Sequence, residues 1–312
     1  MTRYRYGLGR IELESEFELS LTPSTSGLSS TATIRQGAAG TLSNPVAKTL
    51  LMQIAPQDCL LDIPGLARYR VRGGLEIVVE AGQGACRADV VTYLLTYALA
   101  ALCSQRGLLV LHATALDIAG QGVLLTGPSG SGKSTLGAAL ALRGAVVLSD
   151  DLCVIDAGGE VPLLLPCSNH LVLWADCMEQ LGYGTAPRQR PVESLQKFSI
   201  ELTALSSAPV PVRHVLALCE TRLPQPRGLV AMRLLEAVAT CSSAAYVPAL
   251  VEGMNRRQAH LDQCLRVASA ARVLKLFSSW GFAELPRTAQ AIEQLVRASD
   301  ASQPLAGMRG PG

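Results

Sequence analysis

The chain has 312 residues, is 49% apolar and 17% charged, and carries a formal net charge of +2. That composition excludes an intrinsically disordered chain and supplies ample core for one large or two modest domains. The balanced charge gives no electrostatic case for nucleic acid or an acidic membrane as the main partner.

The opening residues, Met1-Thr2-Arg3-Tyr4-Arg5-Tyr6, lack the apolar core of a signal peptide. The nine cysteines form no C-x-x-C pair, and Cys103, Cys153 and Cys219 lie in apolar runs. They read as reduced core residues of a cytoplasmic protein. The uncharged run from Val90 to Cys103 has 14 residues, short for a membrane span, so a buried helix and no membrane insertion are expected.

Residues 1–85 read as a small β-rich unit. Short extended pieces are expected at 4–8 and 11–13, and a Ser/Thr/Gly-rich loop from 20 to 43. Apolar runs at 50–54, 59–63, 67–71 and 75–79 are separated by Pro64-Gly65 and Gly73-Gly74, which predicts a β-meander. Alternation in 67–71 puts Arg68 and Arg70 on a wet face, as solvated charges.

An apolar helix is expected from Ala88 to about Gln105, then a strand over 108–118 and a turn at 119–122. The next strand, Val123-Leu124-Leu125, runs into Gly127-Pro128-Ser129-Gly130-Ser131-Gly132-Lys133-Ser134-Thr135. A helix follows to about Leu142, Ala145–Leu148 is a buried strand ending in Ser149-Asp150-Asp151, and Leu152–Ile155 is another strand. Farther on, strands are expected at 171–174, 214–219 and 272–276, and helices at 229–240, 254–269 and 287–297. Residues 183–192 read as a loop, and the tail 299–312 as flexible. The expected organisation is thus a β-rich unit over 1–85, a second domain over 86–298 and the tail.

Residues 127–134 match the phosphate-binding pattern G-x-x-x-x-G-K-[ST] at every fixed position, in the strand–loop–helix context that gives the pattern meaning. Its glycines let successive backbone N–H groups turn onto a phosphate, where the following helix presents its positive end. Lys133 can reach the β- and γ-phosphates of ATP, and the Ser134 hydroxyl can ligate Mg²⁺. Asp150 and Asp151 sit at a strand's C-terminal end, where α/β sheets bind ligands, so they are expected to share a crevice with the loop. One carboxylate can hold Mg²⁺ while the other takes a proton from an attacking hydroxyl. His112, in an apolar strand, needs a polar partner, which a nearby aspartate would supply. His170, His214 and His260 have no such context and read as structural or surface residues.

The run from Leu111-His112 through the glycine-rich loop to Ser149-Asp150-Asp151 resembles the HPr kinase/phosphorylase family, with 21 residues from His112 to Lys133 and 18 more to Asp151. The resemblance implies an α/β fold with a P-loop kinase core and a mixed central sheet, similar to phosphoenolpyruvate carboxykinases. It implies ATP- and Mg²⁺-dependent phosphorylation of a serine hydroxyl on a peptide or protein. By it, Lys133 stabilises the transferred phosphoryl group, Ser134 and Asp150 bind Mg²⁺, Asp151 is the general base and His112 supports the acidic pair. The chain departs from the family in its first 85 residues and at His170–Asp176, where the family's glutamate-bearing glycine-rich signature is missing. Asp176 is the candidate substitute. The layout is more similar to stand-alone HPr-kinase-related proteins, some of which phosphorylate a lasso-peptide precursor. In that group a basic residue after the Leu-Trp segment would contact substrate phosphate, with Lys197 first in line and Arg188 and Arg190 behind it. The resemblance leaves room for a homo-oligomer.

Three other readings compete. The loop's spelling also resembles transporter-type ATPases, but no L-S-G-G-Q-type segment follows. A nucleotide-gated binding module that does not turn over is the second. A small-molecule kinase, which needs an enclosed acceptor pocket, is the third.

Overall fold

The computed structural model describes residues 3–24, 30–184, 188–189, 197–202, 206, 208–220, 228–278 and 281–301. The first sheet is built from β1 (Tyr4–Leu8), β2 (Ile11–Ser15), β3 (Ser30–Gln36), β4 (Ala47–Lys48), β5 (Met52–Ala55), β6 (Asp58–Ile63), β7 (Ala67–Arg72) and β8 (Glu76–Ala81). Its order is β1-β2-β3-β8-β7-β6-β5-β4. The expected meander is present as β5 to β8, paired antiparallel in sequence. The expected loop over 20–43 holds a strand, β3, which pairs parallel with β2 and with β8. Its alternation of buried Ala32 and Ile34 with outward Thr31 and Thr33 is the period-2 pattern of a half-buried strand, diluted by the serines and glycines around it.

Arg70 departs from expectation. It is 6% exposed and forms an ion pair with Asp58 on β6, so it is no solvated charge. Asp58 and Arg72 are register partners, which brings Arg70 diagonally across the same face of the strand pair. Arg68 pairs with Asp62 and Glu80 nearer solvent.

Chain 87–105 packs on this sheet as α1 (Arg87–Tyr93), a π turn (Leu94–Ala98) and α2 (Leu99–Gln105). Leu94, Leu99 and Leu102 are fully buried there, against Leu13, Ile34, Tyr69 and Ile77 of the sheet. The same core takes in Val110, Leu152 and Val154 of the next sheet, so apolar packing runs on past residue 85.

The central sheet is mixed. It contains β9 (Leu109–Ile118), β10 (Gln121–Thr126), β11 (Val146–Ser149), β12 (Leu152–Asp156) and β13 (Leu163–Leu165). A small third sheet comprises β14 (His170–Trp174), β15 (Arg188–Gln189) and β16 (Lys197–Glu201), in the order β14-β16-β15. The central sheet is completed by β17 (Val210–Glu220), β18 (Gly228–Ala231) and β19 (Arg272–Ser278). β10 is antiparallel to β9 and parallel to β17, and β17 is parallel to β19. β9 also pairs with β11 and β12.

The helices are α3 (Lys133–Ala141), α4 (Ala175–Gln180), α5 (Leu234–Ser243), α6 (Pro248–Gly253), α7 (Arg257–Ala270) and α8 (Leu285–Ala301). The helix expected over 229–240 is in part β18, which pairs with β19, and the helix itself begins at Leu234. α8 extends to Ala301, so the first residues of the expected tail are helical, and 302–312 lie outside the described residues. One face of the central sheet packs on α3, α8 and the third sheet through Leu136, Leu140, Leu216, Leu274 and Ile292. The other packs on α5 and α7 through Leu124, Val215, Cys241 and Val267.

All nine cysteines are free thiols, seven of them buried, in keeping with their apolar sequence context. Burial pushes the Cys59 and Cys167 thiols up to about 12, so neither ionises at neutral pH. Among the described residues no helix is long and apolar enough to cross a membrane.

Candidate active site

β9 and β10 form a hairpin whose turn residues, Ala119 and Gly120, both have positive φ, 56° and 78°. β10 delivers the chain to Gly127, and α3 begins at Lys133. Gly127 has φ 149°, and a Cβ there would sit 3.2 Å from the Leu218 carbonyl of β17, so the loop leaves the sheet where only glycine fits. Gly132, at φ 87°, caps α3 and turns its N-terminus toward the loop. Lys133 is 6% exposed, and its Nζ donates to the carbonyls of Gly127 and Pro128 at 3.0 and 3.1 Å. Burial lowers its pKa, while Asp151 and Asp150 pull it back up. The Ser131 hydroxyl is buried without a hydrogen-bond partner.

The two aspartates follow β11 and meet different surroundings. The Asp150 carboxylate is enclosed by donors: Thr114 Oγ1 at 2.6 Å and Ser134 Oγ at 3.0 Å bond Oδ1, and the Val172 N–H bonds Oδ2 at 3.0 Å. Burial, then the neighbouring Asp151 charge, raises its pKa against those hydrogen bonds. Asp151 has φ 66°, a left-handed conformation uncommon for a residue other than glycine or asparagine. Its Oδ1 lies 3.3 Å from His112 Nε2. That contact, then the charges of Lys197 and Lys133, hold its pKa below the usual carboxylate range despite its partial desolvation. His112 is fixed in turn. Its backbone N–H donates to the Ala244 carbonyl at 2.7 Å, and Tyr246 meets the imidazole edge-on, with ring centroids 6.1 Å apart.

Lys197 lies over the indole of Trp174, 5.0 Å from the ring centroid, because β14 and β16 place the two in register. His112, residues 128–135, Asp151, Trp174 and Lys197 line one cleft of about 540 Å³, within the range of small-molecule sites. Gly127 and Asp150 stand behind its wall. The structure thus brings together the loop, both aspartates, His112 and Lys197 of the sequence expectation. Asp176 is exposed on α4 with its carboxylate on the Cys177 N–H, and it does not line the cleft. The side chain of Arg188 and all of Arg190 lie outside the described residues. His170, His214 and His260 do not line it either. Thr114, Tyr246, Leu218, Phe282 and Leu285 went unmarked in the sequence. Only Thr114, two residues from His112, had a sequence signal, being the polar residue beside it in an apolar strand.

Among the described residues no three His, Cys, Asp or Glu side chains gather as a metal cage. Mg²⁺ needs none, since it is usually held by one or two carboxylates together with phosphates and water. The donor set fits that demand. Ser134 donates its proton to Asp150, which leaves the hydroxyl oxygen's lone pairs for a hard cation beside a carboxylate.

No family model matches the sequence. Over 61 residues the chain is 39% identical to the HPr kinase/phosphorylase of Chlorobaculum tepidum, covering 20% of this chain and 18% of that protein. Over the same length and shares it is 41% identical to the HPr kinase/phosphorylases of Chlorobium luteolum and Pelodictyon phaeoclathratiforme. The chain therefore spans less than a fifth of the length of the curated relatives it matches. The solved structure of the Hpr(Ser) kinase/phosphatase from Coxiella burnetii aligns with 62% of this chain and 96% of its own at 17% identity, with a TM-score of 0.32. The sequence likenesses support an HPr-kinase-like family for this chain.

Proposed function

We propose that the protein is an ATP- and Mg²⁺-dependent kinase that phosphorylates a serine hydroxyl of a peptide or protein, with a lasso-peptide precursor as candidate acceptor. One observation carries this reading. The ionised Asp151, paired with His112, faces the same cleft as the glycine-rich loop and Lys133. A loop alone argues only for phosphate binding. A carboxylate of low pKa on the cleft adds a proton acceptor.

In this reading the serine Oγ attacks the γ-phosphorus, the new O–P bond forms, and the bond to the β–γ bridging oxygen breaks to release ADP. Asp151 accepts the hydroxyl proton, and His112 keeps its carboxylate oriented and charged. The loop's backbone N–H groups and Lys133 take the phosphate charge. To do so, Lys133 exchanges its bonds to Gly127 and Pro128 for phosphate oxygens. Ser134 and Asp150 would hold Mg²⁺, which when bound neutralises charge on the β- and γ-phosphates. Lys197, which lies over Trp174, would contact phosphate on the acceptor side. Residues 86–298 would form the kinase domain, residues 1–85 a β-rich accessory unit, and the setting would be cytoplasmic.

Labelled ATP with serine peptides tests the reading against Lys133→Ala and Asp151→Asn. Transfer in the wild type, with loss of roughly 100-fold or more in each variant, is the expected result, since general-base catalysis alone supplies roughly 10²–10⁴-fold. Undiminished transfer in both variants overturns the site. Hydrolysis with no acceptor labelled points instead to an ATPase.

A further inference from the structure

The cleft has two unlike ends, and the order of strands sets them apart. His112 on β9 and Asp151 before β12 lie on one side of β10, which feeds the loop. β17 and then β19 lie on the other side, parallel to β10, so their C-terminal ends open on the same edge of the sheet. Three strand spacings, roughly 14 Å, separate β9 from β19. The far end is apolar: Leu218 lies near the C-terminal end of β17, and Phe282 and Leu285 follow β19. Its two hydroxyls, Ser278 and Thr288, lie 3.3 Å apart, and Thr288 donates to the Glu284 carbonyl at 3.1 Å. Phe282 is 40% exposed, lines the cleft and has no ring partner among the described residues.

A second recess of about 420 Å³ continues from this end, sharing Phe282 and Leu285 with the cleft. It runs over α3 past Ala139 and Leu142 to Leu181. Thr135 is on the cleft wall at the start of that helix face, and Ala139 and Leu142 are its neighbours one and two turns on. Polyphosphate on the loop, with its reacting end at Asp151, can extend toward this end of the same cleft.

We propose that the apolar end is a nucleoside subsite in which a purine base stacks on the Phe282 ring, with Leu285 and Leu218 behind it. This inference rests on the kinase reading, in that it takes the reacting phosphate to lie at Asp151. The chemistry is specific to a flat aromatic ligand: the ring offers a stacking face, while the hydroxyls beside it are already paired. The subsite adds affinity for the base and none for the phosphates.

The test is equilibrium binding, by calorimetry with Mg²⁺ present, of ATP, ADP and inorganic tripolyphosphate to the full chain and to Phe282→Ala, Phe282→Tyr and Lys133→Ala. Phe282→Ala is expected to weaken ATP and ADP about tenfold or more, leaving tripolyphosphate within about twofold of wild type. Phe282→Tyr keeps the ring and is expected to restore nucleotide binding. Lys133→Ala weakens all three ligands. Equal loss of ATP and tripolyphosphate in Phe282→Ala, or no loss of either, overturns the subsite while leaving the phosphate site standing. Tripolyphosphate binding that exceeds ATP binding in the wild type also overturns it. No binding of any of the three to wild type overturns the kinase reading and the subsite with it. Thermal unfolding of Phe282→Ala, within a few degrees of wild type, separates lost stacking from lost fold.

Discussion

Thr114 and Asp150 are 36 residues apart in sequence, yet Thr114 Oγ1 donates to Asp150 Oδ1 at 2.6 Å. The bond ties the middle of β9 to the end of β11, beneath the loop. It shares its acceptor oxygen with Ser134, so one carboxylate oxygen joins a strand to the first turn of α3. Thr114→Val keeps shape and β-branching but removes this donor from a fully buried position. A hydrogen bond to a charged group contributes about 1.5–3 kcal/mol, and Thr114→Val is expected to lower unfolding free energy by that amount in urea titrations. Thr114→Ser retains the hydroxyl and is expected to lose less. A larger loss in Thr114→Ser than in Thr114→Val would show that the methyl group, not the bond, stabilises this corner.

Gly137 lies in α3, where replacing glycine by alanine ordinarily adds about 1 kcal/mol of helix stability. Here the new Cβ would come 2.7 Å from Thr114 Cγ2. The crowded atom belongs to a stiff β-branched side chain, so overpacking of about 1–3 kcal/mol outweighs the helix gain. Gly137→Ala is expected to be destabilised. Thr114→Ser, which lacks the methyl group, relieves the clash, so the double variant should be more stable than the sum of the single effects predicts. Strict additivity in the cycle would argue against direct contact.

The turn between β9 and β10 stores a small strain. Ala119 holds φ 56° ahead of Gly120 at φ 78°, the two positive angles of a type I′ turn. Alanine is poorly suited to that region and asparagine is well suited. Ala119→Asn is expected to raise stability by about 0.5–1 kcal/mol, with phosphate-site binding unchanged, as read by urea midpoint and tripolyphosphate titration. A fall in stability would mean that the longer side chain disturbs the bond already present from the Gly120 N–H to Asp117 Oδ1.

His214 sets an acid limit on stability. It is 1% exposed on β17, its Nδ1 has no partner, and Nε2 lies 3.4 Å from Gln121 Oε1. Burial, then the charges of Arg272 and Arg213, lowers its pKa from 6.5 to about 4. The unfolded chain therefore binds a proton between pH 6.5 and about 4 that the folded chain refuses, and folded stability falls as pH drops through that window. Each unit is worth about 1.4 kcal/mol, so the loss is on the order of 3 kcal/mol. His214→Gln removes the titration, and its stability should decline less over the same window. Parallel pH curves for the two proteins would assign the acid sensitivity elsewhere.

Local chemistry made half of the site legible. The glycine-rich loop, Lys133, Ser134 and the aspartate pair are contiguous patterns whose positive-φ glycines and strand-end carboxylates follow from nearest-neighbour rules. The meander of β5 to β8 was legible for the same reason, since turns and alternation lie within a few residues. β3 was not, because its partners β2 and β8 supply the hydrogen bonds and its own Ser/Thr content reads as loop. Arg70 misled, because alternation says which face a residue takes but not that Asp58 waits there.

Sequence by itself determined the phosphate-binding pattern, the mixed α/β character and the pairing of a strand histidine with two carboxylates as a candidate site. Tertiary structure gave the two carboxylates different surroundings. Asp150 is enclosed by Thr114, Ser134 and Val172, whereas Asp151 opens to the cleft against His112. It also brought Lys197 onto Trp174 and carried Phe282 to the loop from about 150 residues downstream. The physical reason is common to all of these. A residue's type and neighbours set its chemistry, but its burial and charge environment come from strands and helices that meet only when the chain has folded.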